Sequence, residues 1–161
     1  MKNKTLLIGL VASASLCCGA AGAAELLVTG GSSKAGNTSM ISVDFVSEGD
    51  SRGLQARIAL PKGVKADTSN CLKSLPQGFQ GICEFNQGEV RLMAFAFDDR
   101  KLPAGLLELG VIKVSGQVRG ESGLNVVDFQ SVDSAGKPLP SKATVSFGAP
   151  STRAPAPEQQ R

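Results

Sequence analysis

Histidine, tryptophan and tyrosine are absent from this 161-residue chain. Without histidine there is no Ser-His-Asp or Cys-His nucleophile, and the commonest metal ligand is missing. Without tryptophan or tyrosine the usual aromatic platform for stacking a sugar ring is missing too. The seven phenylalanines are the only aromatic residues. A strong charge of either sign is also lacking: 17 Lys and Arg stand against 14 Asp and Glu, a formal net charge of +3. Removing Lys2 and Lys4, which belong to the N-terminal segment, brings that to +1. Such a balance gives no basic surface for nucleic acid and no acidic one.

What is present begins with an export pattern. Lys2 and Lys4 precede an apolar run over residues 6–16, and small residues fill positions 19–24. This predicts a signal peptide over residues 1–24, with Ala-x-Ala cleavage after Ala23 or Gly-x-Ala cleavage after Ala24. The apolar core is short for a membrane span, so a retained signal anchor is the lesser reading. Lipidation at Cys17 or Cys18 is disfavoured, because Leu16 and Cys17 stand where a lipoprotein signal needs a small residue. The expected product is periplasmic or secreted, with no membrane span after cleavage.

Two of the four cysteines leave with that peptide, and Cys71 and Cys83 remain. An even count in a chain bound for an oxidising compartment predicts a disulfide, with two buried thiols as the alternative. Closing so short a loop stabilises by about 3 kcal/mol in the chain-entropy model. A metal site at the pair is disfavoured, since neither histidine nor a further mature cysteine can complete it. No metal and no cofactor is expected.

The remainder reads as strand after strand. Ile41, Val43 and Phe45 alternate with Ser42 and Asp44; Leu54, Ala56, Ile58 and Leu60 alternate with Gln55 and Arg57; Ala143, Val145 and Phe147 repeat the period near the end. Residues 90–97, VRLMAFAF, carry apolar side chains on both faces, the pattern of a central strand covered on much of both sides. Phe85-Asn86-Gln87-Gly88-Glu89 has hairpin-turn chemistry. Residues 106–114 and 124–129 give further strands. Residues 66–76 hold the one candidate for a short helical turn, with Asp67 or Ser69 as its cap. Short strands with Gly, Pro, Ser and Asn punctuation predict an all-β fold, an antiparallel jelly-roll β-sandwich of about eight or nine strands over residues 25–148. The Pro/Ala-rich tail, residues 149–161, has nothing to pack and reads as disordered.

Residues 127–140, VDFQSVDSAGKPLP, offer two aspartates and a glycine, as a calcium loop does. An EF-hand loop needs oxygen donors at alternating positions and a closing glutamate; Ala135 stands where a ligand belongs and no such glutamate follows. The stretch therefore reads as strand, tight turn, strand, with Gly136 taking the positive φ. A strand ending in Phe129, then Asp133-x-x-Gly136-x-x-Leu139 and Pro140, resembles the closing strands of cohesin domains. The preceding order is similar: Leu26-Leu27-Val28, Ala35-Gly36-Asn37-Thr38 before residues 41–45 (ISVDF), residues 53–60 (GLQARIAL) before Pro61, Gly88 to Phe97, residues 106–116, then Gly120 and Gly123. The resemblance spans roughly residues 25–148. It implies a nine-stranded jelly roll that binds a protein, dockerin in cellulosomes, through one sheet face. The single copy, the absence of a dockerin segment and the predicted disulfide depart from that setting.

Catalysis is not expected. Asp98 and Asp99 are the best carboxylate pair, but neighbours on a strand point to opposite faces, and a solvated turn into Arg100 and Lys101 accounts for them. Most phenylalanines belong to the core pattern; Phe79 and Phe85, flanking Cys83, could form a small exposed patch. The expected function is a non-catalytic protein-binding module at the cell envelope or outside the cell, with polysaccharide binding as the alternative. Gln55, Arg57, Arg91 and Met93, at outward or ambiguous positions of adjacent-reading strands, are the candidate recognition residues; an ordinary solvated sheet surface is the competing reading.

Overall fold

The structure, a computed structural model, describes residues 22–32, 38–116, 118 and 123–147. Residues 1–21 of the expected signal peptide, Cys17 and Cys18 among them, residues 35–37, Gly120 and the tail lie outside the described residues.

Period-2 alternation organises the chain into ten strands among the described residues: β1 (Ala24–Ser32), β2 (Thr38–Ser47), β3 (Gly53–Ala59), β4 (Lys65–Asp67), β5 (Phe79–Asn86), β6 (Glu89–Ala96), β7 (Gly105–Ser115), β8 (Asn125–Val132), β9 (Pro138–Leu139) and β10 (Ser141–Phe147). They form two five-stranded sheets, ordered β10-β1-β2-β7-β4 and β5-β6-β3-β8-β9. All pairings are antiparallel except β1 with β10. This is the expected jelly-roll sandwich; the strands beyond the expected number are the short β4 and β9.

The inner faces supply one apolar core. Leu26 and Val28 of β1, Ile41, Val43 and Phe45 of β2, and Leu109, Ile112 and Val114 of β7 meet Ala56 and Ile58 of β3 and Val90, Leu92 and Ala94 of β6. Strands β1, β2, β3 and β6 contribute every second side chain, so the period that predicted them also built the core. Strand β7 breaks the period between Leu109 and Ile112, where its pairing with β2 shifts register. The Ser51 and Ser131 hydroxyls, both buried, bond each other at 2.7 Å, and Ser131 Oγ reaches the Gly53 carbonyl at 3.3 Å. Burial therefore leaves neither without a partner.

Turn chemistry sets the connections. Gln87 and Gly88 adopt φ of 51° and 82°, the two left-handed positions of a two-residue hairpin turn between β5 and β6. In the turn after β8, Gly136 has φ 74°, while Asp133 Oδ1 accepts from the backbone N–H groups of Ala135 and Lys137, both at 2.8 Å. The aspartate that resembled a calcium ligand is thus occupied in capping its own turn. Pro140 then carries the chain from β9, in one sheet, to β10, in the other; its carbonyl accepts from Ala24 N at 2.9 Å.

Residues 66–76 hold β4 at the start and a series of turns after it, with no continuous helix. Within them Cys71 N donates to Thr68 O and Asp67 Oδ1 accepts from Ser69 N, both at 3.0 Å, so the expected short turn capped by Asp67 is present. One expectation is corrected. Strand β6 is central and well covered on its inner face, but its outer face is not covered: Met93 is exposed, as is Phe97 just beyond it. Two-sided apolarity signalled exposure here, not double burial.

Candidate functional site

The outer face of the β5-β6-β3-β8 sheet is a grid fixed by register. One row reads Glu84–Arg91–Arg57–Asp128; the next reads Ile82–Met93–Gln55–Gln130; the third reads Gln80–Phe95–Gly53–Val132. Strand geometry separates successive rows by about 7 Å. The face therefore changes from charged, through mixed, to apolar over about 14 Å. The four residues expected from sequence, Gln55, Arg57, Arg91 and Met93, are brought together in the middle of it.

Together with Ile82, Glu84 and Asp128 those four line a depression of about 320 Å³. A second hollow of about 180 Å³ continues along β3, bounded by Gly53, Met93, Phe95, Gln130 and Val132. Gln55 and Met93 border both. Gly53 has no side chain to fill the space between Phe95 and Val132, where an added Cβ would lie 3.5 Å from Val132 Cγ2 and 3.7 Å from Phe95 Cβ.

The charged row is loosely held. Arg57 meets Glu89 at 3.9 Å and Asp128 at 4.0 Å; Arg91 meets the same Glu89 oxygen at 3.9 Å. One row on, the Gln55 amide donates to Gln130 Oε1 at 3.1 Å. At the apolar end, Phe95 and Phe97 pack edge to face with ring centroids 5.1 Å apart, and Phe97 is 73% exposed. Below them Arg52 holds the margin of the face, donating to the carbonyls of Phe97 and Ser134, both at 3.1 Å.

Ile82, Phe95, Phe97 and Gly53 belong to this surface and were not singled out from sequence. The signal for Phe95 and Phe97 was the second apolar set in residues 90–97, which could have been read as an exposed stripe. Phe79 and Phe85 are only partly buried and pack against the core, so the exposed aromatic is Phe97 instead.

Cys71 and Cys83 form a disulfide, with Cα atoms 6.2 Å apart. It ties the 68–78 segment to β5, beside a bond of 3.1 Å from Thr68 Oγ1 to the Cys83 carbonyl. Leu72 and Leu75 of that segment pack on the core margin. The disulfide thus braces the strand that carries Ile82 and Glu84.

Asp98 and Asp99 do not act as a pair. Asp98 accepts from Arg100 N and Nε and lies 2.9 Å from its Nη2, whereas Asp99 faces solvent 4.0 Å from Arg52. Each carboxylate serves a different arginine at the turn. Among the described residues no group of three or more His, Cys, Asp or Glu side chains is placed to hold a metal, and no helix is long and apolar enough to cross a membrane.

No protein-family model and no curated protein matches the chain. Solved structures do. A non-cellulosomal cohesin from Archaeoglobus fulgidus superposes with a TM-score of 0.58 at 11% identity, over 78% of this chain and 90% of that one. Type II cohesin A11 from Bacteroides cellulosolvens gives a TM-score of 0.53 at 9% identity, over 78% and 96%. A chain of a type I cohesin–dockerin complex from Clostridium thermocellum gives 0.52 at 14% identity, over 78% and 94%. Identities this low carry architecture and nothing more, and on that footing the fold of this chain is that of a cohesin module.

Proposed function

We propose that this chain is an exported, non-catalytic module that binds a partner protein through the outer face of the β5-β6-β3-β8 sheet. The carrying observation is the set of uncovered apolar side chains on and beside that face, Ile82, Met93 and Phe97, which are 50%, 43% and 73% exposed beside two adjoining hollows. Contiguous apolar surface with a polar margin marks an interaction site far more than scattered exposed residues do. The neighbouring folds support the reading, since among them are cohesins solved in complex with dockerins. The disulfide and the N-terminal signal pattern support a role at the cell envelope or outside the cell.

The test is a pull-down from envelope and secreted fractions of the native organism, with the disulfide-bonded domain as bait. Met93→Asp should abolish retention of a specific partner. Leu106→Asp, a charge placed on the exposed outer face of the opposite sheet, should leave it intact. Retention that survives Met93→Asp sinks the assignment of this face.

Polysaccharide binding is the second reading, and Phe97 is the observation that favours it, as an aromatic ring open to solvent. Retention on insoluble glycan that disappears in Phe97→Ala, with no protein partner recovered, would put it first.

A further inference from the structure

Arg57 and Arg91 stand directly opposite each other across β3 and β6. Like charges in that position repel, and a sheet ordinarily avoids them. The flanking carboxylates relieve the repulsion but do not use the guanidinium donors. Every ion pair of the two arginines is 3.9 or 4.0 Å long, beyond hydrogen-bond distance. Neither guanidinium has a hydrogen-bond acceptor among the described residues. Their side chains are 44% and 56% exposed over the depression. Two planar donor forks therefore lie side by side with their N–H groups uncommitted.

On these grounds we propose that Arg57 and Arg91 form a carboxylate clamp: the partner presents an Asp or Glu side chain that accepts from both guanidiniums. The same partner segment seats a large apolar side chain in the Gly53 notch, between Phe95 and Val132. This inference rests on the outer-face reading above and adds the chemistry of the partner. The clamp works through directed donors, not net charge, because Glu84, Glu89 and Asp128 surround the two arginines. A guanidinium pair matches a carboxylate bidentately, and lysine does not reproduce that geometry. An acidic glycan would satisfy the arginines but would leave the apolar side chains of the next two rows, about 7 and 14 Å away, without a use. A protein segment satisfies both.

The experiment is panning of phage-displayed random dodecapeptides on the exported, disulfide-bonded chain, followed by titration of the enriched peptides in solution. Enriched sequences should carry Asp or Glu a few residues from a large apolar residue. Changing that acid to its amide should weaken binding at least tenfold to the native domain and leave binding to Arg57→Gln/Arg91→Gln unchanged. Arg91→Lys should fail to restore affinity. Peptides that need Met93 yet bind the double glutamine variant as well as the native chain overturn the clamp and leave the face intact. Peptides indifferent to Met93→Asp, or no enrichment over the Met93→Asp domain, overturn the face reading along with the clamp. Polygalacturonate binding that depends on the two arginines and not on Met93 overturns the protein ligand.

Discussion

Asp44 on β2 stands directly opposite Glu108 on β7, on the solvent side of the other sheet. Partial burial, reinforced by the Glu108 charge, raises the Asp44 carboxyl above the ordinary aspartate range. The folded state thus holds this proton more tightly than the unfolded chain does. Its contribution to stability is therefore greatest in acid and falls as pH rises through the unfolded and then the folded value. A like-charged cross-strand pair costs about 0.2–1 kcal/mol, and solvent screening at this half-buried site favours the lower end. Asp44→Asn should raise the melting temperature at pH 7 and lose that advantage toward pH 4, measured as paired melting curves across that range. Glu25 works in the opposite sense. Hydrogen bonds from Thr144 and Lys142 lower its pKa, so its contribution is present above the ordinary value and lost on further acidification.

Reduction should loosen the chain where Cys71 meets Cys83. Intact mass with and without reductant should differ by two hydrogens. Cys71→Ala/Cys83→Ala should cost about 3 kcal/mol, or on the order of 10 °C in melting temperature for a domain of this size. Equal masses, with both thiols open to alkylation after unfolding, would end the assignment.

Gly110 on β7 is where that same segment approaches the sheet. A Cβ there would meet the carbonyl oxygens of Asn70 and Cys71, and the neighbouring Val111 N donates to Asn70 O at 2.9 Å. Gly110→Ala must push the 68–75 turns outward. The expected loss is about 1–3 kcal/mol, the cost of overpacking, with faster tryptic cleavage at the exposed Lys73. Unchanged cleavage and an unchanged midpoint would show that the turns shift at no cost.

Much of this architecture was legible because its rule is local. Leu54, Ala56 and Ile58 announce β3 by alternation alone, and Asn86-Gln87-Gly88 announces the β5–β6 turn. Less visible were features that depend on distant partners. Nothing local in Lys65-Ala66-Asp67 marks a strand, since β4 exists through pairing with Lys113, Val114 and Ser115 of β7. Ser131 gives no hint in sequence that its hydroxyl serves Ser51. For the candidate site, Arg57 and Gln55 were readable as outward residues of a clean strand. The adjacency of their strand to that of Arg91 and Met93 was readable too; the order β5-β6-β3-β8 added Ile82, Glu84 and Asp128 to the same face. The apolar end was legible and misread, because residues 90–97 look the same in sequence whether a second layer or bare solvent covers the outer face.

That ambiguity yields the last prediction, which separates a face kept for a partner from one needed by the fold. Leu92 and Met93 are chain neighbours on β6, one 2% and the other 43% exposed. Leu92→Ala removes core volume between the sheets and should cost about 2–5 kcal/mol. Met93→Ser removes a side chain that touches solvent and its row neighbours, so it should fall within about 0.5 kcal/mol of native, as should Phe97→Ser. Chemical denaturation of the three variants measures all of this at once. A domain that tolerates the loss of Met93 and Phe97 has no folding reason to display them, and their exposure then falls to recognition. If either serine variant is as damaging as Leu92→Ala, the outer face is packed in the folded protein, and the binding surface must be sought elsewhere on the sandwich.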